Sequence, residues 1–435
     1  MSPVSRGRKP KKSKKKAGGR RSAAPRSSTS VAVTPASQFG PERRQELAAE
    51  QREPGWWAAS HDRVLDASVG LLAASGPRTL EQAVAELIGG ELHEAILREE
   101  SGLGLDLWGM RLVDRAAARA SAPTESGDAR TGPVWLLHGL ASFGSRGLAT
   151  DARRHALAAS KSLPDDLRRS LPGWLAQQPA ATGDVRVIRD VYGTRIGVLA
   201  GFRYPADASP WVYLIDLDVS GSFRLVGGGT FDDIDQAACA WRAGVGDSAA
   251  DAVPEAATGE SLTCLVYYEH EEEQVWGDES LAVMNEWYRA RLRGQAVMQA
   301  VKAHGIALPE ARYLFADIDY MSAAKPFTNW YSSRHGHVPP KQPVRYLAEE
   351  WLEGMLPGTE RMVSPARSRF YRELISDWQE GQDRDAALDL LPEWVRWNGE
   401  ESGVPALFLE RAVSAATGAA DAATGAADEV ASPEA

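Results

Sequence analysis

Val134 to Gly144 reads VWLLHGLASFG, and an apolar run ending in His138-Gly139 is how many α/β-hydrolases deliver an oxyanion-hole loop. That chemistry also requires a nucleophile elbow, Gly-x-Ser-x-Gly, on a strand-to-helix turn. The nearest spacing, Gly246-Asp-Ser248-Ala-Ala250, lacks the second glycine and follows a helical pattern. The same stretch fits a helix with Pro133 at its first position and Leu136, Leu140 and Phe143 at i, i+4 and i+7. A helix is therefore expected and a hydrolase is not. Phosphate binding is the next chemistry to weigh, at Gly227-Gly228-Gly229 between a strand and a helix. The run lacks a lysine and the phosphate-loop spacing. Asp232, Asp233 and Asp235 would favour the helix dipole but repel a phosphate, so a tight connection is expected.

Ligand types for a divalent cation occur as Asp216/Asp218, Asp317/Asp319, His335/His337 and His270 among glutamates. None follows a recognised spacing. Alternating Asp216 and Asp218 suit the solvated face of a strand, which leaves Asp317, Asp319, His335 and His337 as the best set. No metal, cofactor or catalytic residue is assigned. Fourteen tryptophans are spread over the chain as core anchors, with Trp56-Trp57 the pair expected at the surface. Cys239 and Cys264 sit in apolar patterns as small core residues.

The elements that must position these groups divide the chain. A helical region spans 42–181: Thr79-Leu-Glu-Gln82 is a capping box, Gly89-Gly90 interrupts the helix it opens, and 121–132 is a polar loop. Positions 182–247 read as an antiparallel meander. Ile196, Val198, Ala200 and Phe202 alternate, as do Trp211, Tyr213, Ile215 and Leu217, and a further strand starts at Phe223. Thr230 then caps a helix bearing Ile234, Ala237, Ala238 and Trp241. Region 261–413 opens with a strand over 262–268 and is otherwise helical, with a long helix ending at Gly305 and starts at Pro326, near Val344 and at Ser364-Pro365. The fold class is α+β, mostly helical, with a central antiparallel β-meander followed by a packed helix.

Charge is partitioned along the chain. Residues 1–41 carry eleven Lys and Arg and no acid, so positions 42–435 hold 38 basic and 59 acidic residues, a net of −21. The segment 414–435 adds Asp421, Asp428, Glu429 and Glu434 without a base, which leaves about −17 for 42–413. Six of the ten lysines, Lys9, Lys11, Lys12, Lys14, Lys15 and Lys16, precede Arg20 and Arg21 in a tail with almost nothing to bury. Both tails, 1–41 and 414–435, are expected to be disordered. A lysine-rich arm gains affinity for phosphate backbones by counterion release, without reading sequence.

IRDVYGTRIGVLAGF, GGGTFDDIDQAACAW and LLPEWVRWNGEESGVP resemble segments of an uncharacterised protein family of high-GC actinobacteria, and the Arg- and Ala-rich composition is similar. The resemblance covers most of positions 45–412. It implies a shared fold at the meander, its helix and the C-terminal helices, and carries over no activity, cofactor or catalytic residue.

These readings lead to a cytoplasmic, non-enzymatic binding or adaptor protein. Its arm, through Lys9, Lys11, Lys12, Lys14, Lys15, Lys16, Arg20 and Arg21, would contact polyanions such as nucleic acid non-specifically. A protein partner on the acidic body is a further expectation; a membrane is not. The alternative is an unrecognised, metal-dependent enzyme.

Overall fold

The computed structural model describes residues 53–100, 104–122, 127–205, 209–221, 224–270, 277–310, 320–352, 358–378 and 381–418. From Pro54 onward they belong to one compact unit. The chain begins with α1 (Gly55–Ala67), a 3₁₀ turn (Ser68–Ala73), α2 (Pro77–Leu97), α3 (Leu105–Ser121), α4 (Gly127–Phe143), α5 (Arg146–Ser162) and the short α6 (Asp165–Ser170). Next come β1 (Ala180–Arg189), β2 (Arg195–Arg203), β3 (Trp211–Asp218), β4 (Arg224–Phe231), α7 (Ile234–Val245) and β5 (Glu255–Ala256). The described chain closes with α8 (Thr263–His270), α9 (Leu281–Ala303), α10 (Tyr320–His335), α11 (Lys341–Leu352), α12 (Pro365–Ser376), α13 (Gln382–Ser402) and α14 (Ala406–Thr417). The fold is α+β, as expected.

The sheet is antiparallel in the order β4-β3-β2-β1-β5. Period-two alternation sends Ile196, Val198, Ala200 and Phe202 of β2 and Tyr213, Ile215 and Leu217 of β3 into a large core shared with α1–α5, α8 and α9. The opposite face places Leu199, Val212 and Leu214 against Ala237, Ala238 and Trp241 of α7. A separate core joins α10–α14 around Phe327, Trp351 and Trp394. The meander thus reads as near-continuous hydrophobic runs because helices cover both its faces.

Several local expectations shift. Gly89-Gly90 lies inside a continuous α2, because α9 crosses there: a Cβ on Gly89 would stand 2.1 Å from Asn285 Oδ1 and 2.6 Å from Asn285 Cα. Packing overrides the propensity cost of glycine. Helix α2 starts at Pro77, with Gly76 N–H donating to Thr79 Oγ1 (3.0 Å), so Thr79 closes the cap and does not open it. Helix α4 begins at Gly127, inside the expected polar loop, and carries Pro133 in its interior. Likewise Pro326 lies within α10.

The glycine run belongs to strand β4, with Gly227, Gly228 and Gly229 opposite Asp216, Ile215 and Leu214. The cap of α7 is then Asp233, which accepts from Gln236 N–H (2.8 Å), not Thr230. The expected strand over 262–268 is α8: short apolar runs do not fix a period, and this one is buried from Leu262 to Tyr268. Trp57 is buried and Trp56 half-buried, while Cys239 is exposed and Cys264 buried. Positions 414–417 extend α14.

Gly89→Ala is expected to cost about 1–3 kcal/mol by overpacking. Gly90→Ala, with nothing within 4 Å of its Cβ, is expected to gain up to about 1 kcal/mol from helix propensity. Urea unfolding of the two variants, with opposite shifts in midpoint, checks the crossing.

Candidate functional site

The arm residues Lys9, Lys11, Lys12, Lys14, Lys15, Lys16, Arg20 and Arg21 lie outside the described residues, as do Asp317 and Asp319. The remaining metal candidates are dispersed. Asp216 is not solvated: it is buried under α7, receives both arms of the Arg195 fork (2.8 Å each) and accepts from Trp241 Nε1 (2.9 Å). Asp218 caps a turn, its Oδ1 accepting from Ser220 N–H (2.8 Å). His335 Nε2 lies 3.3 Å from Glu393 Oε2, and His337 Nδ1 lies 3.1 Å from His335 O. His270 closes α8. Among the described residues no group of three or more His, Cys, Asp and Glu could hold a metal ion.

The His138-Gly139 stretch is helical and buried from Thr131 to Phe143, as expected of a helix surrounded by others. Gly139 serves the crossing with α2, since a Cβ there would lie 2.6 Å from Val84 Cγ2. His138 Nε2 lies 3.2 Å from Ser160 Oγ. Burial pushes its pKa down to about 4, so the imidazole is neutral at pH 7 and a weak general base.

An unfolded histidine, near 6.5, takes up its proton before the folded one does. The stability tied to neutral His138 is therefore present above about pH 6.5 and is lost as pH falls towards 4, up to about 3 kcal/mol. Asp190 runs the other way. Burial raises its pKa to about 6, against the hydrogen bond it accepts from Arg195 N–H (3.1 Å), so its contribution is present below about pH 4 and lost as pH rises through 6. In His138→Asn the loss of stability between pH 7 and 4.5, measured by urea midpoint, is expected to be smaller than in the wild type. An unchanged loss would remove His138 as its source.

The densest polar constellation escaped sequence reasoning. On α9, Glu286, Arg289 and Arg293 recur at i, i+3 and i+7 and face Glu81 and Gln82 of α2. Arg293 Nη2 donates to Glu81 Oε2 (2.5 Å) and Nη1 to Ser142 O (3.2 Å), with the guanidinium over Phe202 (5.1 Å) and Trp211 (5.6 Å). Tyr204 Oη donates to Glu81 Oε2 (2.8 Å), and Tyr213 Oη to Glu286 Oε2 (2.5 Å). Arg289 donates to both Glu286 oxygens, through Nε at 2.8 Å, and through Nη1 to Gln82 Oε1 (2.6 Å).

Burial first, and the adjacent carboxylates second, hold both tyrosines well above the ordinary phenol range. Burial works against the Arg289 charge, but Glu286, Tyr213 and Glu81 keep its pKa raised. Two acids and two bases neutralise one another inside the core. A legible signal existed: Arg289 and Arg293 fall on the same stripe as the fully buried Val297 and Val301.

No protein-family model, curated protein or solved structure matches this chain.

The buried lattice reaches the surface at Glu286 and Gln82, which with Arg78, Gly228 and Thr230 line an open cleft of about 590 Å³. Gly228 makes room there, because a Cβ would lie 3.3 Å from Glu286 Cγ and 2.9 Å from Leu214 O. A second cavity of about 320 Å³ is lined by Arg189, Glu260, Cys264, Thr359 and Met362. Arg189 Nη2 donates to Ser261 O (3.2 Å), and burial pushes the Cys264 thiol up to about 11, which keeps it protonated and unreactive at neutral pH. Of the charged side chains that border them, Arg78 pairs with Asp232 (3.2 Å), Glu286 with Arg289, and Arg189 bonds Ser261 O. Among the described residues no helix is long and apolar enough to cross a membrane.

Proposed function

We propose that this chain is a non-enzymatic, cytoplasmic binding protein whose Lys-rich arm engages polyanions, nucleic acid foremost. The observation that carries the reading is the charge partition: eleven Lys and Arg without one acid in residues 1–41, ahead of a body of net charge about −17 over 42–413. Such an arm binds phosphate backbones by counterion release, while the acidic body resists non-specific collapse onto the same backbone. The commitment of His138, Glu81, Glu286 and Asp216 to internal bonds supports a role other than catalysis. Two free cysteines fit a reducing compartment.

The test is fluorescence anisotropy of labelled duplex DNA and RNA against the full chain and a variant with Lys9, Lys11, Lys12, Lys14, Lys15, Lys16, Arg20 and Arg21 changed to Gln. With six to eight phosphate contacts, wild-type affinity for duplex DNA is expected to fall about 10³- to 10⁴-fold between 50 and 200 mM salt. The neutralised arm is expected to remove most of both affinity and slope. Equal binding and equal slope in the two proteins would overturn the assignment to the arm.

A further inference from the structure

Between Asp319 and Glu349 the sequence holds Lys325, Arg334, Lys341 and Arg345, together with His335 and His337, and no acid at all. In a body as acidic as this one, such an interval is a local reversal of sign. It covers the helical hairpin formed by α10, its connection and most of α11, whose last turn carries Glu349 and Glu350. Lys325 and Lys341 are exposed and frame a groove of about 330 Å³ with Thr328, Val338, Pro339 and Val344. Val338 is 70% exposed at this groove.

Arginines and lysines behave differently across the molecule. Arginines at and near the surface are widely ion-paired, for example Arg63 with Glu91, Arg119 with Asp66, Arg224 with Asp278 and Arg361 with Glu401. Among the described residues none of the four lysines, Lys161, Lys302, Lys325 and Lys341, has a carboxylate partner. Three acids that reach the hairpin are occupied: Glu400 holds Arg334 (3.1 Å) and Trp330 Nε1 (2.9 Å), Glu393 lies against His335, and Glu349 pairs with Arg345 (3.9 Å). Lys325 and Lys341 therefore present uncompensated charge on either side of an apolar floor.

Flat groups stand beside them on the same hairpin. Tyr331 stacks on His335 with ring centroids 4.2 Å apart and meets His337 edge-on at 5.5 Å, while Arg334 lies over Trp330 at 5.2 Å. Tyr331 and Trp330 are half-buried, and the histidines and Arg334 are exposed. Cations that track a backbone beside ring faces on which bases stack are the combination that holds single strands. An acidic peptide would use the lysines but has no need of the rings.

We propose that the α10–α11 hairpin is a second contact surface for single-stranded nucleic acid, with Lys325 and Lys341 on phosphates and the Tyr331–His335–His337 face beside the bases. The proposal rests on the polyanion reading of the arm, to which it adds a site on the folded body. Two weak sites on one chain then act together, the second binding event being intramolecular.

The experiment uses the full chain in four forms: wild type, the arm-neutralised variant, Lys325→Glu/Lys341→Glu, and the combination. The probe is a fluorescein-labelled 20-nucleotide oligo-dT, with polyglutamate as competitor. Both lysines are exposed and unpaired, so the double variant keeps its fold. It is expected to bind oligo-dT about tenfold more weakly, with a salt slope lower by about 1.4 for two lost single-strand phosphate contacts. The arm-neutralised protein is expected to retain weak binding, which the combined variant loses.

Wild-type affinity and slope in Lys325→Glu/Lys341→Glu, with binding lost on arm neutralisation, would overturn the hairpin site and leave the arm intact. Binding unaffected by arm neutralisation but lost in the lysine pair would overturn the arm and keep the hairpin. Absence of binding in wild type would overturn both. Displacement of oligo-dT from the arm-neutralised protein by equimolar polyglutamate would overturn the nucleic-acid assignment in favour of an acidic protein partner.

Discussion

Arg293→Met is expected to lower the stability of the fold by about 3–5 kcal/mol, because it removes the ion-pair partner of Glu81 and leaves two buried carboxylates, Glu81 and Glu286, to the single Arg289 charge. Glu81 is 3% exposed, and Arg293 is its cationic partner at 2.5 Å. What remains to it is the Tyr204 hydroxyl at 2.8 Å, a neutral donor, and the field of Arg289, whose guanidinium is already bonded to both oxygens of Glu286. The paired substitution Glu81→Met/Arg293→Met is expected to recover much of the loss, since a well-packed apolar pair can replace a buried ion pair at little or no cost. Urea midpoints of the two singles and the double form a double-mutant cycle. A double variant as unstable as the sum of its singles would mean that the pair is not coupled and that packing of the Arg293 stem against Phe202 and Trp211 carries the effect.

The second large effect is expected at Arg367, which is fully buried in the C-terminal core. Its Nη1 donates to Thr359 O (2.8 Å) and Met362 O (2.7 Å), and its Nη2 to Trp351 O (3.0 Å) near the carboxyl end of α11. The guanidinium plane lies 4.1 Å over Trp351. Burial lowers its pKa to about 10, which leaves it charged at pH 7. The fork therefore ties together the end of α11 and the approach to α12, whose own start is fixed by Ser364 Oγ accepting from Arg367 N–H (3.1 Å).

Arg367→Met is expected to cost about 2–4 kcal/mol by taking a charged donor away from three buried carbonyls, of which Thr359 O keeps Met362 N–H (3.0 Å) and Trp351 O keeps the Tyr371 hydroxyl (3.4 Å). Arg367→Lys is expected to recover less than half, because an ammonium cannot reproduce a planar fork that also stacks. The check is the urea midpoint together with near-ultraviolet circular dichroism of the tryptophan band. Unchanged values in both variants would show that water replaces the fork.

The legible parts of the fold were those in which one periodicity dominated. The β2 and β3 alternation, the Ser364-Pro365 start and the helix ending before Gly305 are local signals, written in side-chain spacing and in backbone preference, and they hold in the structure. The misreadings share a cause. Gly89 and Gly228 looked like a break and a turn, yet each is where another element comes close, Asn285 and Glu286 respectively; Gly139, in a stretch rightly expected to be helical, marks the crossing with Val84 in the same way. Small residues at such crossings report on a neighbour far away in sequence, which local propensity cannot see. In the same way Asp216 looked solvated because a strand alone does not disclose that α7 covers its second face.

For the site, the sequence by itself determined the sign and segregation of charge, the lysine-rich arm and the acid-free interval from Tyr320 to Ala348, because net charge and composition survive whatever the chain does in space. Only the tertiary structure decided which charges neutralise one another. It brought Glu81 to Arg293 across 212 positions and Arg195 to Asp216 under α7, and left Lys325 and Lys341 unpaired on a shared groove. The physical reason is range: a charge is fixed by its residue, but its compensation depends on a partner within about 4 Å, and in a folded chain that partner is set by packing of elements and not by order along the sequence.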